Sequence, residues 1–348
     1  MALLDIWDYV RASGDRRLRK QGYVGAGMGI LERYRRVPGF WGPHLERNRA
    51  NLKQIATQLA TSRGGTLLIL GAGRLLDVPW EDLFPCFDRV VLADADFGLI
   101  PYVERILAAA KIPAPKIEFE IGDLTDSVVD VAAWAEHTIG AAQSPAAAAK
   151  SLTTGFDSIT PPQAKWARTY SDLRAVVSTN LVSQLGYFPR LHVQKEFRKR
   201  FNSEFADQES AAASLENYFN RIRVRHFLDI AQQQKAYVYV ASDVQVKVYT
   251  LKPARNILAE SVPPDAGVKL GERGSLVFHW PAEIIDESDP LNGQDLRSLW
   301  PANSPLLPPQ RWAWHIVPQG SEKKYQDRGR IHIVEAWTRT PLGNRPKI

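Results

Sequence analysis

Two glycines and two aspartates placed at strand ends carry the clearest chemistry in this sequence. The run TLLIL leads directly into GAGRLLD, so Gly71 and Gly73 stand where an apolar strand gives way to a turn and helix. That is where open α/β sheets bind ligands, and a side chain there would hold a ligand away from the backbone. A third glycine at position 76 would bring a helix N-terminus onto a pyrophosphate; Leu76 stands there instead and speaks against a nicotinamide dehydrogenase. The next strand, RVVLAD, ends at Asp94, 23 positions after Gly71. This is near the roughly 20-residue spacing at which an acidic residue accepts from ribose hydroxyls. Asp96 offers the same group two residues on, and either could instead cap a helix over FGLIPYVERILAAA. The third strand ends in EIGDLTD and delivers Asp123 to the same edge, where a carboxylate can accept from an exocyclic amine. Three successive strand ends thus each supply a group that a nucleoside needs.

The elements that must position these residues follow from the apolar pattern. Residues 1 to 62 read as a helical N-terminal cap: a basic segment, a Gly-rich break at Gly22, Gly25, Gly27 and Gly29, then a helix with Leu45, Leu52, Ile55 and Leu59 at helical spacing. From Thr66 the pattern changes to strand-length runs, TLLIL, RVVLAD, KIEFEI, LRAVVST and KAYVYVAS, mostly separated by helix-forming stretches. Alternation of this kind predicts an α/β fold, a doubly wound and mostly parallel sheet with crossover helices on both faces. After a helix near Ser127 to Ile139, the stretch SPAAAAKSLTTGFDSITPPQ reads as an exposed loop. Between about 187 and 233 the spacing suits two helices, around Leu191 to Phe205 and Ser210 to Gln233, a helical insertion beyond a plain crossover. RWAWHIVPQG and RIHIVEAWTR predict an antiparallel C-terminal edge hairpin.

Composition sets outer bounds. With 348 residues, 45% apolar and 24% charged, the chain can bury a large core. The opening residues carry charge every few positions and no apolar run approaches membrane-spanning length, so a cytoplasmic protein without a membrane span is expected. The single cysteine, Cys86, excludes an intrachain disulfide and a Cys-based zinc cluster; it sits among Phe84, Pro85 and Phe87 as a core thiol, and no metal is expected. Residues 11 to 36 hold eight Arg or Lys against Asp15 and Glu32, a local excess equal to the net charge of the whole chain. Such a segment suits either a solvated helical face or contact with a nucleic acid such as RNA, another polyanion or an acidic membrane surface. Trp312 and Trp314 alternate along one strand face, as sheet packing against helices produces.

TLLILGAG, VVLADAD and IEFEIGDLTD together resemble the glycine-rich loop, acidic loop and adenine-side loop of class I S-adenosylmethionine-dependent methyltransferases. The resemblance covers residues 64 to 126 well and extends more loosely to 340, through VVSTNLVSQL and the terminal hairpin. It implies a methyltransferase-like domain over 63–348 and S-adenosylmethionine as cofactor, with Gly71 and Gly73 flanking the methionine part, Asp94 on the ribose and Asp123 facing the adenine. The sequence departs from the GxGxG pattern at Leu75.

Methyl transfer from a sulfonium needs mainly alignment and an acceptor lone pair, so no fixed catalytic signature is required. The fourth strand end offers Asn180 within STNL, without the NPPY-type pattern of enzymes that methylate planar nitrogens. Candidate residues on the acceptor side are Asn180, Tyr187 and His44, with Gln184, His192, Glu196 and His226 as further polar groups whose ordinary role is structural. The expected activity is methyl transfer to an O or N acceptor, a small molecule being favoured. An RNA methyltransferase using the 11–36 segment, or a non-catalytic regulatory protein retaining the cofactor fold, are the alternatives. The helices of the insertion and the cap segment containing Trp41 and His44 are expected to close over the site.

Overall fold

The computed structural model describes residues 15–61, 63–110, 115–253, 257–258, 268–271 and 275–342. The opening fourteen residues, which bear on the cytoplasmic expectation and include Arg11 of the basic segment, lie outside them. The α-helices are α1 (Arg16–Gln21), α2 (Tyr23–Arg36), α3 (Pro38–Leu59), α4 (Trp80–Leu83), α5 (Leu99–Ala110), α6 (Val128–Ala141), α7 (Pro145–Ser158), α8 (Trp166–Thr169), α9 (Tyr187–Phe201) and α10 (Glu209–Ala231). The strands are β1 (Thr66–Leu70), β2 (Arg89–Asp94), β3 (Lys116–Ile121), β4 (Leu173–Thr179), β5 (Tyr237–Leu251), β6 (Val268–Leu270), β7 (Leu276–Phe278), β8 (Ala282–Ser288), β9 (Gln310–Val317) and β10 (Gly329–Arg339).

The main sheet runs β3-β2-β1-β4-β5-β10-β9, with β8 added to the far half of β5. β1 to β5 are parallel, and β10 is antiparallel to both β5 and β9. The run β1 is buried along all five residues, as a central parallel strand covered on both faces must be. Its side chains alternate between two cores: Leu67 and Ile69 join Leu52, Ile55 and Leu59 of α3, while Leu68 and Leu70 join Phe227 and Ile230 of α10. Register pairs Leu70 with Ala93 and Ser178, and Asp94 with Ile121, so Gly71, Asp94, Asp123 and Asn180 emerge at one edge of the sheet. Among the described residues no helix is long and apolar enough to cross a membrane.

Four expectations are corrected. The Gly-rich break is confined to Gly22, which ends α1 at φ +97°; the other three glycines lie inside α2. The stretch after α6 is a helix, α7, because Ser144 caps it by accepting from Ala147 N–H, Pro145 occupies its first position, and Ala148, Leu152 and Phe156 are buried at helical spacing. β5 continues well beyond KAYVYVAS to Leu251, its outer half pairing with β8. The terminal hairpin is antiparallel and lies at the sheet edge as expected, with β10 between β5 and β9 and β9 outermost. The two helices of the insertion form at Tyr187–Phe201 and Glu209–Ala231, yet α10 packs against α7 on one face of the sheet, where it acts as the crossover into β5. Cys86 is a buried thiol, as its apolar neighbours imply.

Candidate functional site

The backbone turns that follow the parallel strands determine the site. After β1 the chain passes through three positive φ values, +70° at Gly71, +52° at Gly73 and +53° at Leu75. A Cβ at Gly71 would stand 3.1 Å from Leu181, so glycine is required there by both conformation and space. Leu75 keeps a glycine-like backbone with a buried side chain, a strain of about 1–2 kcal/mol offset by packing. The departure from GxGxG therefore leaves the turn geometry intact. β4 ends in the same way at Asn180, φ +56°, a conformation that Asn tolerates better than most residues.

These turns border a cavity of about 190 Å³ at the carboxyl ends of β1 to β4. Gly71, Gly73, Asp94, Asp123, Asn180 and His44 all line it. The cap closes it from above, through Tyr23, Gly27 and Ile30 of α2 and Trp41, His44 and Leu45 of α3.

Asp94 is held by two backbone donors: Gly73 N–H to one carboxylate oxygen at 2.7 Å and Asp96 N–H to the other at 2.8 Å. Asp96 is differently engaged. It accepts from Gly98 N–H at 2.9 Å and pairs with the Arg74 guanidinium at 3.2 Å, both side chains almost fully buried. Gly27 of α2 covers this pair so closely that a Cβ would stand 1.9 Å from Asp96 Oδ2. Asp123 receives four donors, the N–H and hydroxyl of Thr125 and the N–H groups of Ser127 and Val129. It caps α6 and has filled the four lone-pair positions of a carboxylate. Burial pushes Asp94 and Asp123 above the ordinary carboxylate range and takes Asp96 to about 6, with Arg74 opposing the shift.

Asn180 and His44, 136 positions apart, meet at the other end: Asn180 Nδ2 lies 3.1 Å from His44 Nε2 and 3.3 Å from Asp77 Oδ2. His44 Nδ1 accepts from Trp312 Nε1–H at 3.1 Å. The indole can only donate, so this neutral imidazole carries its proton on Nε2, and one of the facing Asn48 and Asn180 amides turns its oxygen to receive it. Burial lowers His44 to about 3. With its basic nitrogen bound to Trp312, His44 positions Asn180 rather than accepting a proton from a ligand. The paired tryptophans pack as their alternation implies, and in doing so they fix this histidine.

The other candidates fall elsewhere. Tyr187 is 47% exposed and lies outside the cavity lining, because the first turn of α9 directs it outward; its neighbour Phe188 lines the cavity instead. Gln184 and Leu185 also reach the cavity, so only the approach to α9 and its first turn contribute, and α10 lies elsewhere. His192 pairs with Glu136 of α6 at 3.0 Å, Glu196 with Lys199 at 3.6 Å, and His226 packs edge-on against Trp166. In the basic segment, Arg17 pairs with Asp15 and Asp130, Lys20 with Glu136, Arg33 with Glu322 and Arg36 with Glu32. Three residues were missed from sequence: Arg74, Gly27 and Asp77. Arg74 and Asp77 lie within GAGRLLD, and their charge inside an apolar turn was the available signal.

The strand order, with β10 reversed and inserted ahead of β9, is that of the class I methyltransferase fold. Three solved structures are similar over most of this chain. A Bacillus halodurans protein provisionally described as a methyltransferase is 10% identical, over 84% of this chain and 98% of that one, with a TM-score of 0.33. An S-adenosylmethionine-dependent methyltransferase of Aquifex aeolicus is 9% identical, over 84% and 97%, with a TM-score of 0.25. A precorrin-6y C5,15-methyltransferase of Geobacter metallireducens is 9% identical, over 82% and 86%, with a TM-score of 0.26. No protein-family model and no curated protein matches the chain. The fold assignment rests on the strand order itself.

Proposed function

We propose that this protein binds S-adenosylmethionine in the covered cavity and transfers its methyl group to an O or N atom of a small-molecule acceptor. One observation favours this reading above others: of the described lining residues, Asp77, Asp94, Asp96 and Asp123 are carboxylates and Arg74 is the single Arg or Lys. Such a cavity repels a dinucleotide pyrophosphate and suits a nucleoside that carries a sulfonium cation. When bound, the cofactor would supply the activated methyl group. The chain's own contribution is placement. Asp94, pinned by Gly73 and Asp96, presents its remaining lone pairs to the ribose diol. Asp123 shapes the adenine end as the cap of α6, beside Tyr23, Val128 and Phe188. Asn180, held by His44 and Asp77, borders the methyl side together with Trp314. The cap excludes water from the transfer and favours an in-line approach.

A small acceptor is favoured because the cap covers the cavity, and Arg17, Lys20, Arg33 and Arg36 are committed to carboxylates of the same chain. Calorimetric titration with S-adenosylmethionine and S-adenosylhomocysteine tests the reading. Saturable binding of both, with a nicotinamide dinucleotide failing to compete, is the expected result. Absence of binding overturns it.

A further inference from the structure

The cavity changes character along the sheet. At the ends of β2 and β3 it carries Asp94, Asp96 and Asp123, the groups that the S-adenosylmethionine reading gives to the nucleoside. Its opposite end, beyond Asn180, is formed by Trp41 and Leu45 of α3 and Trp314 of β9, with Ile30 of α2 alongside. α2 crosses from one end to the other. Gly27 covers Asp96, Tyr34 packs on Trp41 with ring centroids 6.2 Å apart, and Ile30 stands on the same helix face between them.

The apolar end offers a ligand no positive charge among the described residues. The neutral His44 ring spends its nitrogens on Trp312 and on the Asn48 and Asn180 amides. Beside Trp314, His332 pairs with Asp243 at 3.0 Å. Arg33 of α2 is bound to Glu322, and Arg36 to Glu32 and the Ser321 carbonyl. Arg49 of α3 is bound to Glu81 at 3.2 Å and to the carbonyls of Leu76 and Val78, each at 3.4 Å. Arg74 is held by Asp96 and the Gly98 carbonyl. The charged residue that touches Asn180 is Asp77, a further carboxylate. An acid or a phosphate ester brought here would lose its hydration without meeting a cation, whereas an apolar ring would gain contact with Trp41, Leu45 and Ile30.

We propose that the methyl acceptor is an apolar ring compound whose accepting group is an uncharged hydroxyl or amine and which carries no carboxylate, sulfate or phosphate, an inference that rests on the S-adenosylmethionine reading above. In the transfer the lone pair of that oxygen or nitrogen forms the bond to the methyl carbon, and the S–CH3 bond breaks with its electron pair passing to sulfur. The products are the methylated acceptor, S-adenosylhomocysteine and the acceptor's proton, which is released to solvent.

The test uses 2-naphthol and 2-naphthoate, matched in ring size and differing in charge at neutral pH, titrated by calorimetry into protein saturated with S-adenosylhomocysteine. The wild type is expected to bind the naphthol at least about 10-fold more tightly, because only the anion is desolvated without a partner. In Ile30→Arg, which adds a guanidinium beside the apolar end, that preference should shrink by at least about 10-fold. Equal wild-type affinities overturn the proposal, as do a preference for the naphthoate and failure of both probes to bind. An unchanged preference in Ile30→Arg protein with the wild-type circular dichroism spectrum also overturns it, and the wild-type comparison decides if that variant fails to fold. Failure of S-adenosylhomocysteine itself to bind overturns the cofactor reading and this proposal with it, whereas its binding without a preference for the naphthol overturns this proposal alone.

Discussion

The imidazole of His44 lies face to face on the indole of Trp314, with 4.0 Å between ring centroids and 7° between planes. Trp41 meets the same Trp314 indole edge-on at 5.0 Å and donates its own N–H to the Ile316 carbonyl, while Trp312 donates to His44 Nδ1. α3 of the cap is thereby locked to β9, and one polar ring is oriented within an aromatic stack.

Removing the Trp312 donor should release that orientation. Trp312→Phe is expected to cost about 1–2 kcal/mol of stability in denaturant unfolding, the value of a buried hydrogen bond. Nitrogen NMR of the imidazole should show the Nε2–H tautomer of His44 in the wild type and a mixture in the variant. A mixture already in the wild type would contradict the assignment.

Gly27 and Gly29 lie two residues apart in α2 and should respond oppositely to alanine. At Gly27 a Cβ collides with Asp96, so Gly27→Ala is expected to lose about 1–3 kcal/mol and to loosen the cap. At Gly29 a Cβ meets nothing within 4 Å, and Gly29→Ala should be neutral or stabilising by up to about 1 kcal/mol. Thermal unfolding of the two variants decides, and equal effects would argue against the close cover of Asp96.

Asp94→Ala should weaken S-adenosylhomocysteine binding by about 1–3 kcal/mol, through loss of the ribose acceptor and of the clamp on Gly73 N–H. Asp96→Asn should perturb the Arg74 pair and stability more than it perturbs affinity. Calorimetry on both variants checks the division, and unchanged affinity in Asp94→Ala would remove the ribose assignment.

His315 is buried against the Tyr249 hydroxyl at 2.7 Å, and burial lowers it to about 3. An unfolded histidine titrates near 6.5, so below that pH the unfolded chain gains a proton that the folded chain refuses. Stability from this group is therefore intact above about pH 6.5 and declines as pH falls towards 3. From pH 7 to pH 5 the loss is about 2 kcal/mol, and His315→Gln should lack it. Asp96, whose pKa is raised to about 6, works in the opposite sense, since the folded form binds the extra proton there. For that reason the difference between variant and wild type across pH is the quantity to measure.

The sequence by itself determined the parallel half of the sheet and the place of its ligand-facing edge, because both are local. Apolar runs of strand length, each followed by Gly71, Asp94, Asp123 or Asn180, are read within a few residues. The reversed hairpin was equally legible from its alternation. α7 is written locally as well: its Ser-Pro start resembles a turn, but the alanines behind it favour a helix. What the tertiary structure alone decided is what the ends of the chain bring together. His44 meets Trp312 across 268 positions, and Arg33 of the cap meets Glu322 across 289. No periodicity within α2 shows that Gly27 must accommodate Asp96, because that requirement belongs to a contact formed only when the cap closes. Asp77 reads as one more charge in a turn until the fold brings it to Asn180, 103 positions away, in the lining of the cavity. Spacing along the chain specifies which residues reach one edge of the sheet; only the packing of distant segments specifies which of their charges are already paired.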